Sequence, residues 1–216
     1  MVRVKICGIT RPEDAATADE AGTDAVGCVV EVPVSTPRKV SAEHANEVFS
    51  VVSPFVSRVA VLMDNLEPID RLEEATAVQL HGTEDPETCE ELSELGLDVI
   101  KTFWVDQRGS VWLGEELIGD EVLAEYCEIV DAVLLDTKSA EGGGSGERHD
   151  WDASARLVRR LDVPVILAGG LNPENVREAV EKVRPYAVDT SSGVEKEPGI
   201  KDPEAIAEFV RATKSV

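Results

Sequence analysis

Cys7 closes the stretch MVRVKICGIT, at the end of six residues of strand character and directly before Gly8. Read with a period of two, Val2, Val4 and Ile6 share one face of that strand, and Arg3, Lys5 and Cys7 share the other. A thiol at that position can be a small apolar filler or, once ionised, a base. Three further strand ends carry polar or ionisable groups in the same way. They are His81 in register with Gln79, Asp136 in register with Leu134 and Ala132, and Asp189 in register with Ala187. A thiol, an imidazole and two carboxylates meeting at one mouth could move protons on and off a bound substrate.

Two more segments have the composition of a phosphate cradle. Ala168-Gly169-Gly170 precedes an Asn172-Pro173 helix start, and Thr190-Ser191-Ser192-Gly193 is short enough for one extra helical turn. Glycine lets backbone N–H groups approach an anion closely, and a helix N-terminus favours negative charge. Arg38, in STPRKV, is a candidate second anion site. The loop EGGGSGERHD (141–150) has no side chains able to form a core and reads as a lid or substrate-contacting loop.

Positioning these residues requires strands that deliver their ends to one place. Strand candidates fall at 2–7, 24–30, 55–63, 77–81, 98–104, 131–137, 164–169 and 186–190, with helix candidates at 12–21, 41–51, 67–75, 85–95, 114–127, 151–161, 173–183 and 203–213. Ser41, Asp85, Asn172 and Asp202 are the capping side chains at four of the helix starts, three of them followed by Pro. Eight alternating units imply a parallel sheet. In a little over 200 residues they fit a single-domain (β/α)8 TIM barrel over 1–216, in which the C-terminal strand ends carry the site. An open doubly wound sheet is the competitor, but its GxGxxG signature is missing, and GGGSGER lacks the Lys-Ser/Thr of a phosphate-loop nucleotidase. The segment 106–119 carries no usable motif.

With 21 basic against 43 acidic residues the chain carries a net charge of −22. That field repels nucleic acid and anionic lipid. Acidic residues recur across the predicted helix faces, the pattern of a halophilic-type surface adapted to a salt-rich cytosol. No apolar run approaches a membrane span, and the N-terminus shows no signal peptide. A cytoplasmic location is expected, with no membrane or nucleic-acid partner. Cys7, Cys28, Cys89 and Cys127 form no CxxC pair, so reduced thiols are expected rather than zinc or disulfides.

Taken together, VKICGIT (4–10), DAVG (24–27), PRKVS (37–41), VQLHG (78–82), LLDTK (134–138), GGSG (143–146), GGLNPENV (169–176) and AVDTSSGVE (187–195) resemble phosphoribosylanthranilate isomerase of tryptophan biosynthesis. The resemblance runs from the first strand to the last. It implies an Amadori rearrangement of N-(5-phosphoribosyl)anthranilate to 1-(2-carboxyphenylamino)-1-deoxyribulose 5-phosphate, with no metal and no organic cofactor. It aligns Cys7 with the general base at C2 of the ribose and Asp136 with the general acid at the ring oxygen. Arg38 aligns with the residue holding the anthranilate carboxylate, and Gln79, His81 and Asp189 with the pocket lining. Gly169, Gly170, Ser191, Ser192 and Gly193 fall where the family binds phosphate. Cys28 stands where many relatives carry a bulky residue and is read as core. The expected partner is a small phosphosugar–anthranilate, for a monomer or homodimer. Two rival families fit the sequence less well. The histidine-pathway Amadori enzyme relies on aspartates at the ends of strands 1 and 5, where this chain has Cys7 and Thr102-Phe103-Trp104. A phosphate-sugar binding barrel without catalysis would not need the Cys7 and Asp136 pair.

Overall fold

The computed structural model describes residues 1–138 and 149–216. Eight parallel strands close into a barrel: β1 (Arg3–Ile6), β2 (Ala25–Val30), β3 (Ser57–Leu62), β4 (Ala77–Leu80), β5 (Asp98–Val105), β6 (Ala132–Thr137), β7 (Val165–Leu167) and β8 (Ala187–Thr190). Each pairs with its sequence neighbour, and β1 pairs with β8 to seal the cylinder. The expected (β/α)8 architecture is the one observed.

Strand parity divides the core in two. Val4, Ile6, Val26, Cys28, Val133 and Leu135 point outward into the apolar layer beneath the helices. The opposite parity fills the barrel, with Val59, Ala77, Ile100, Ala132, Leu134, Ile166 and Ala187 as its apolar floor. One strand step above that floor the inward residues turn polar. A floor without polar groups needs no partners, whereas the layer above must hold its charges in pairs. Cys28 lies fully buried in the outer layer, as expected of a core residue.

Among the described residues seven α-helices cover the barrel: α1 (Pro12–Glu20), α2 (Ala42–Ser50), α3 (Pro86–Glu94), α4 (Asp120–Cys127), α5 (Trp151–Arg160), α6 (Val176–Val183) and α7 (Pro203–Lys214). Ser41, Asp85 and Asp202 cap α2, α3 and α7, each side chain accepting from backbone N–H groups of the first turn. Three elements differ from what the sequence pattern predicts. The helix expected over 67–75 is a single 3₁₀ segment, Glu67–Arg71, because the chain has only a few residues to spare before β4. Asn172 does not start α6. Its side chain accepts from Glu174 and Asn175 N–H groups in a turn, and the helix begins at Val176. The helix expected from 114 begins at Asp120. Ahead of it Val111–Leu113 pairs antiparallel with the end of β5 and with Glu116–Leu117, so part of 106–119 extends the sheet beyond the barrel rim. The single helical turn expected after β8 is present as the 3₁₀ segment Ser192–Val194, followed by a hairpin of Glu195–Glu197 with Ile200–Lys201.

Candidate active site

Lys5 and Asp189 are register partners on β1 and β8, and both point into the barrel. Their side chains meet at 2.9 Å in a buried ion pair. Burial works against the Lys5 charge, but Asp189 and the Cys7 thiol outweigh it and hold the ammonium above its usual range. Cys7 follows β1, anchored by its N–H to Thr190 O at 2.8 Å. Burial pushes its thiol above the ordinary value, and the Lys5 cation pulls against that shift. Gly8 then turns the chain at φ 66°. A Cβ there would meet Ser191 Oγ at 2.6 Å and the Arg38 stem at 2.7 Å. Glycine is thus demanded twice, by the backbone and by the crowding.

Across the barrel, β4 and β5 contribute Gln79, His81, Thr102 and Trp104. His81 Nδ1 lies 3.2 Å from both Thr102 Oγ1 and Gln79 Nε2, and its ring stands edge-on to Trp104 at 5.3 Å. Burial, then the Lys5 and Lys101 cations, lower the imidazole to about 4, so it is neutral at pH 7. On β6, Asp136 accepts from the Thr137 N–H at 2.7 Å. Burial dominates its environment and, with Asp189 nearby, raises the carboxyl to about 6. A carboxylic acid at that value retains its proton for a useful fraction of time near neutrality.

Cys7, Arg38, Gln79, His81, Asp136, Asp189 and Ser191 all line one cavity of about 650 Å³ at the C-terminal end of the barrel. That is the end where barrel enzymes place their chemistry, and the volume suits a ligand of drug-like size. A second hollow of about 460 Å³, at the opposite end, is lined by Met1, Arg3, Tyr186 and Val216 and by none of these residues.

Gly169 and Gly170 take φ of 88° and 64° after β7. Their loop abuts the one after β8, where Thr190 Oγ1 donates to Leu171 O at 2.7 Å. A Cβ on Gly193 would collide with that same Leu171 carbonyl. Gly169, Gly170, Ser192 and Gly193 thus gather beside the cavity rim without lining it as Ser191 does. Most of the expected lid, 141–148, and the stretch 143–146 lie outside the described residues.

Several contributors had no role assigned from sequence. Trp104 could have been found, since it shares the inward parity of Thr102. Lys138 lines the cavity and donates to Gly114 O at 2.8 Å on the rim extension, which had no motif. Glu195 grips Arg38 through Nε and Nη2 at 2.8 and 2.7 Å, and buried Lys201 meets Glu195 at 2.9 Å. Neither of the last two lines the cavity.

The chain matches the family described as N-(5'-phosphoribosyl)anthranilate (PRA) isomerase over residues 4–212. Curated N-(5'-phosphoribosyl)anthranilate isomerases of Methanocella arvoryzae and Haloferax volcanii are each 44% identical to it. The alignments cover 99% and 100% of this chain and 100% and 94% of theirs. Among solved structures, the Thermotoga maritima phosphoribosyl anthranilate isomerase superposes with a TM-score of 0.84 at 41% identity over the whole of both chains. A phosphoribosyl anthranilate isomerase in complex with reduced 1-(o-carboxyphenylamino)-1-deoxyribulose 5-phosphate superposes with a TM-score of 0.80 at 39% identity, again over both full chains.

Proposed function

The chain belongs to the N-(5'-phosphoribosyl)anthranilate isomerase family of tryptophan biosynthesis, and we propose that Cys7 and Asp136 are the base and acid of its Amadori rearrangement. One observation carries this reading: a thiol beside a buried cation and a carboxyl raised to about 6 line the same cavity. Asp136 gives its proton to the ring oxygen, the furanose opens, and an iminium forms between C1 and the anthranilate nitrogen. The Cys7 thiolate then takes the proton from C2, and the resulting enolamine becomes the ketose. Lys5 stabilises that thiolate, and Asp189 keeps Lys5 pointed at it.

Arg38 takes the anthranilate carboxylate in this reading. Gln79 and neutral His81 accept or donate to sugar hydroxyls, and Trp104, Val61 and Met63 offer the ring an apolar wall. Gly169, Gly170, Ser191, Ser192 and Gly193 hold the phosphate from the adjoining loops. The whole of 1–216 acts as one such domain in the cytoplasm.

Cys7→Ser and Asp136→Asn test the assignment. Each is expected to lose on the order of 10²–10⁴-fold in kcat, with product-analogue affinity within about tenfold of the unaltered enzyme. The product of ionised thiol and protonated carboxyl rises with pH until about 6, where Asp136 begins to lose its proton. It then levels, and falls once the thiol is fully ionised. The profile of kcat/KM is therefore a bell whose lower limb belongs to Asp136 and whose upper limb vanishes in Cys7→Ser. Near-normal turnover in folded Cys7→Ser would make the thiol a structural strand end and overturn the mechanism.

A further inference from the structure

Behind Arg38 sits a pair of residues that the proposed chemistry does not use. The hairpin after β8 makes Glu195 and Lys201 register partners. Its turn is seated against the Arg38 loop, since a Cβ on Gly199 would meet Pro37 O at 2.7 Å, and Thr10 Oγ1 donates to Gly199 O at 2.6 Å. The Glu195 side chain is 5% exposed and that of Lys201 is fully buried. Lys201 Nζ meets Glu195 Oε1 at 2.9 Å and donates to Ser191 O at 3.0 Å.

Guanidinium has two flat edges that match a carboxylate. One is the side edge, Nε with one terminal nitrogen, and the other is the end edge, formed by the two terminal nitrogens. Glu195 takes the side edge of Arg38 through Nε at 2.8 Å and Nη2 at 2.7 Å. Among the described residues nothing accepts from Nη1, and Arg38 lines the cavity while Glu195 does not. The end edge is thus left for a ligand. The charges matter as much as the directions. Arg38 with Glu195 alone is a neutral pair and has little pull on an anion. With Lys201 the group carries one net positive charge, inside a chain whose total is −22.

We propose that Glu195 and Lys201 are positioning residues for Arg38, Glu195 fixing the guanidinium with its end edge toward the cavity and Lys201 offsetting the Glu195 charge so that this edge attracts the substrate's carboxylate. The proposal rests on Arg38 being the carboxylate site, and its test separates the two.

The measurement is the dissociation constant of reduced 1-(o-carboxyphenylamino)-1-deoxyribulose 5-phosphate and of its phenylamino counterpart lacking the carboxylate. The ratio of the two reports recognition of the carboxylate alone. The unaltered enzyme should favour the carboxylate by roughly 10- to 100-fold, the scale of a charged hydrogen-bonded contact. Arg38→Met should bring the ratio to about one. If it does not, Arg38 is not the carboxylate site. Given that collapse, Lys201→Met should cost about tenfold in the ratio, as expected for one charge removed at short range and intermediate dielectric. It should cost nothing further in an Arg38→Met background. Adding Glu195→Gln to Lys201→Met should recover severalfold, because it removes the uncompensated negative charge. Lys201→Gln keeps a donor to Glu195 and Ser191 without the charge, and gives the same loss if the methionine variant does not fold. An unchanged ratio in the folded Lys201 variant, or a double variant worse than the single, overturns the proposal.

Discussion

Asp136 shows at the level of one residue what the site costs the fold. Its carboxyl titrates at about 6 in the folded chain against an ordinary 3.8, burial being the main cause. The folded state therefore binds more protons than the unfolded one between those values, and stability falls as pH rises through that window. Asp136→Asn keeps the oxygen that accepts the Thr137 N–H but carries no charge. It should be more stable than the unaltered protein above pH 6, by about 1–3 kcal/mol, and indistinguishable below pH 4. Urea melts at pH 4 and pH 8 measure the difference. Equal stability at both values would mean that the carboxylate is well solvated. The same residue was legible in the sequence, because alternation along LLDT (134–137) is enough to aim it inward. So were Cys7, His81 and Asp189. Glu195 and Lys201 were not legible as a pair. Their meeting with Arg38 depends on a hairpin register and on a loop 157 positions away in sequence, which no local pattern encodes.

Among elements, the strands were the most readable and the connections the least. Strands carry a period of two and short β-branched runs, whereas the ends of helices and loops are decided by what they pack against. The 3₁₀ segment at Glu67–Arg71 and the late start of α6 follow from loop length and from the Asn172 side chain, while the rim extension at Val111–Leu113 follows from pairing with β5. The loops after β7 and β8 act as one element. Thr190 binds the Leu171 carbonyl, and Gly193 lies against it so closely that no Cβ fits. Backbone on both sides leaves no flexible side chain to give way. Gly193→Ala should lower stability by about 1–3 kcal/mol and raise KM several-fold with a smaller change in kcat, since the two loops would part where phosphate is proposed to sit. Thermal melts and initial rates check both. A folded Gly193→Ala enzyme with an unaltered KM would place the phosphate elsewhere.

For the whole molecule, charge divides into an inside that salt cannot reach and an outside that it can. The buried pairs Lys5–Asp189, Lys101–Glu84 and Lys201–Glu195 are shielded from the solvent. Exposed pairs such as Arg160–Asp120 and Arg177–Glu181 contribute little each. With 43 acidic residues against 21 basic ones, even complete pairing would leave 22 negative charges without a partner. Salt weakens the exposed attractions and the far more numerous repulsions together, so the repulsions decide the sign. The screening length shortens from about 10 Å at 0.1 M to about 3 Å at 1 M. Stability should therefore rise between those concentrations of KCl. Activity should rise as well, because an anionic substrate approaching this surface is repelled until the long-range field is screened, while the short-range hold proposed for Arg38 persists. The gain in kcat/KM should appear in KM more than in kcat. Melting temperatures and initial rates across a KCl series, with sucrose as an uncharged control, test this. A melting temperature unchanged or lowered by KCl would show that the acidic surface is tolerated by the fold rather than matched to high salt.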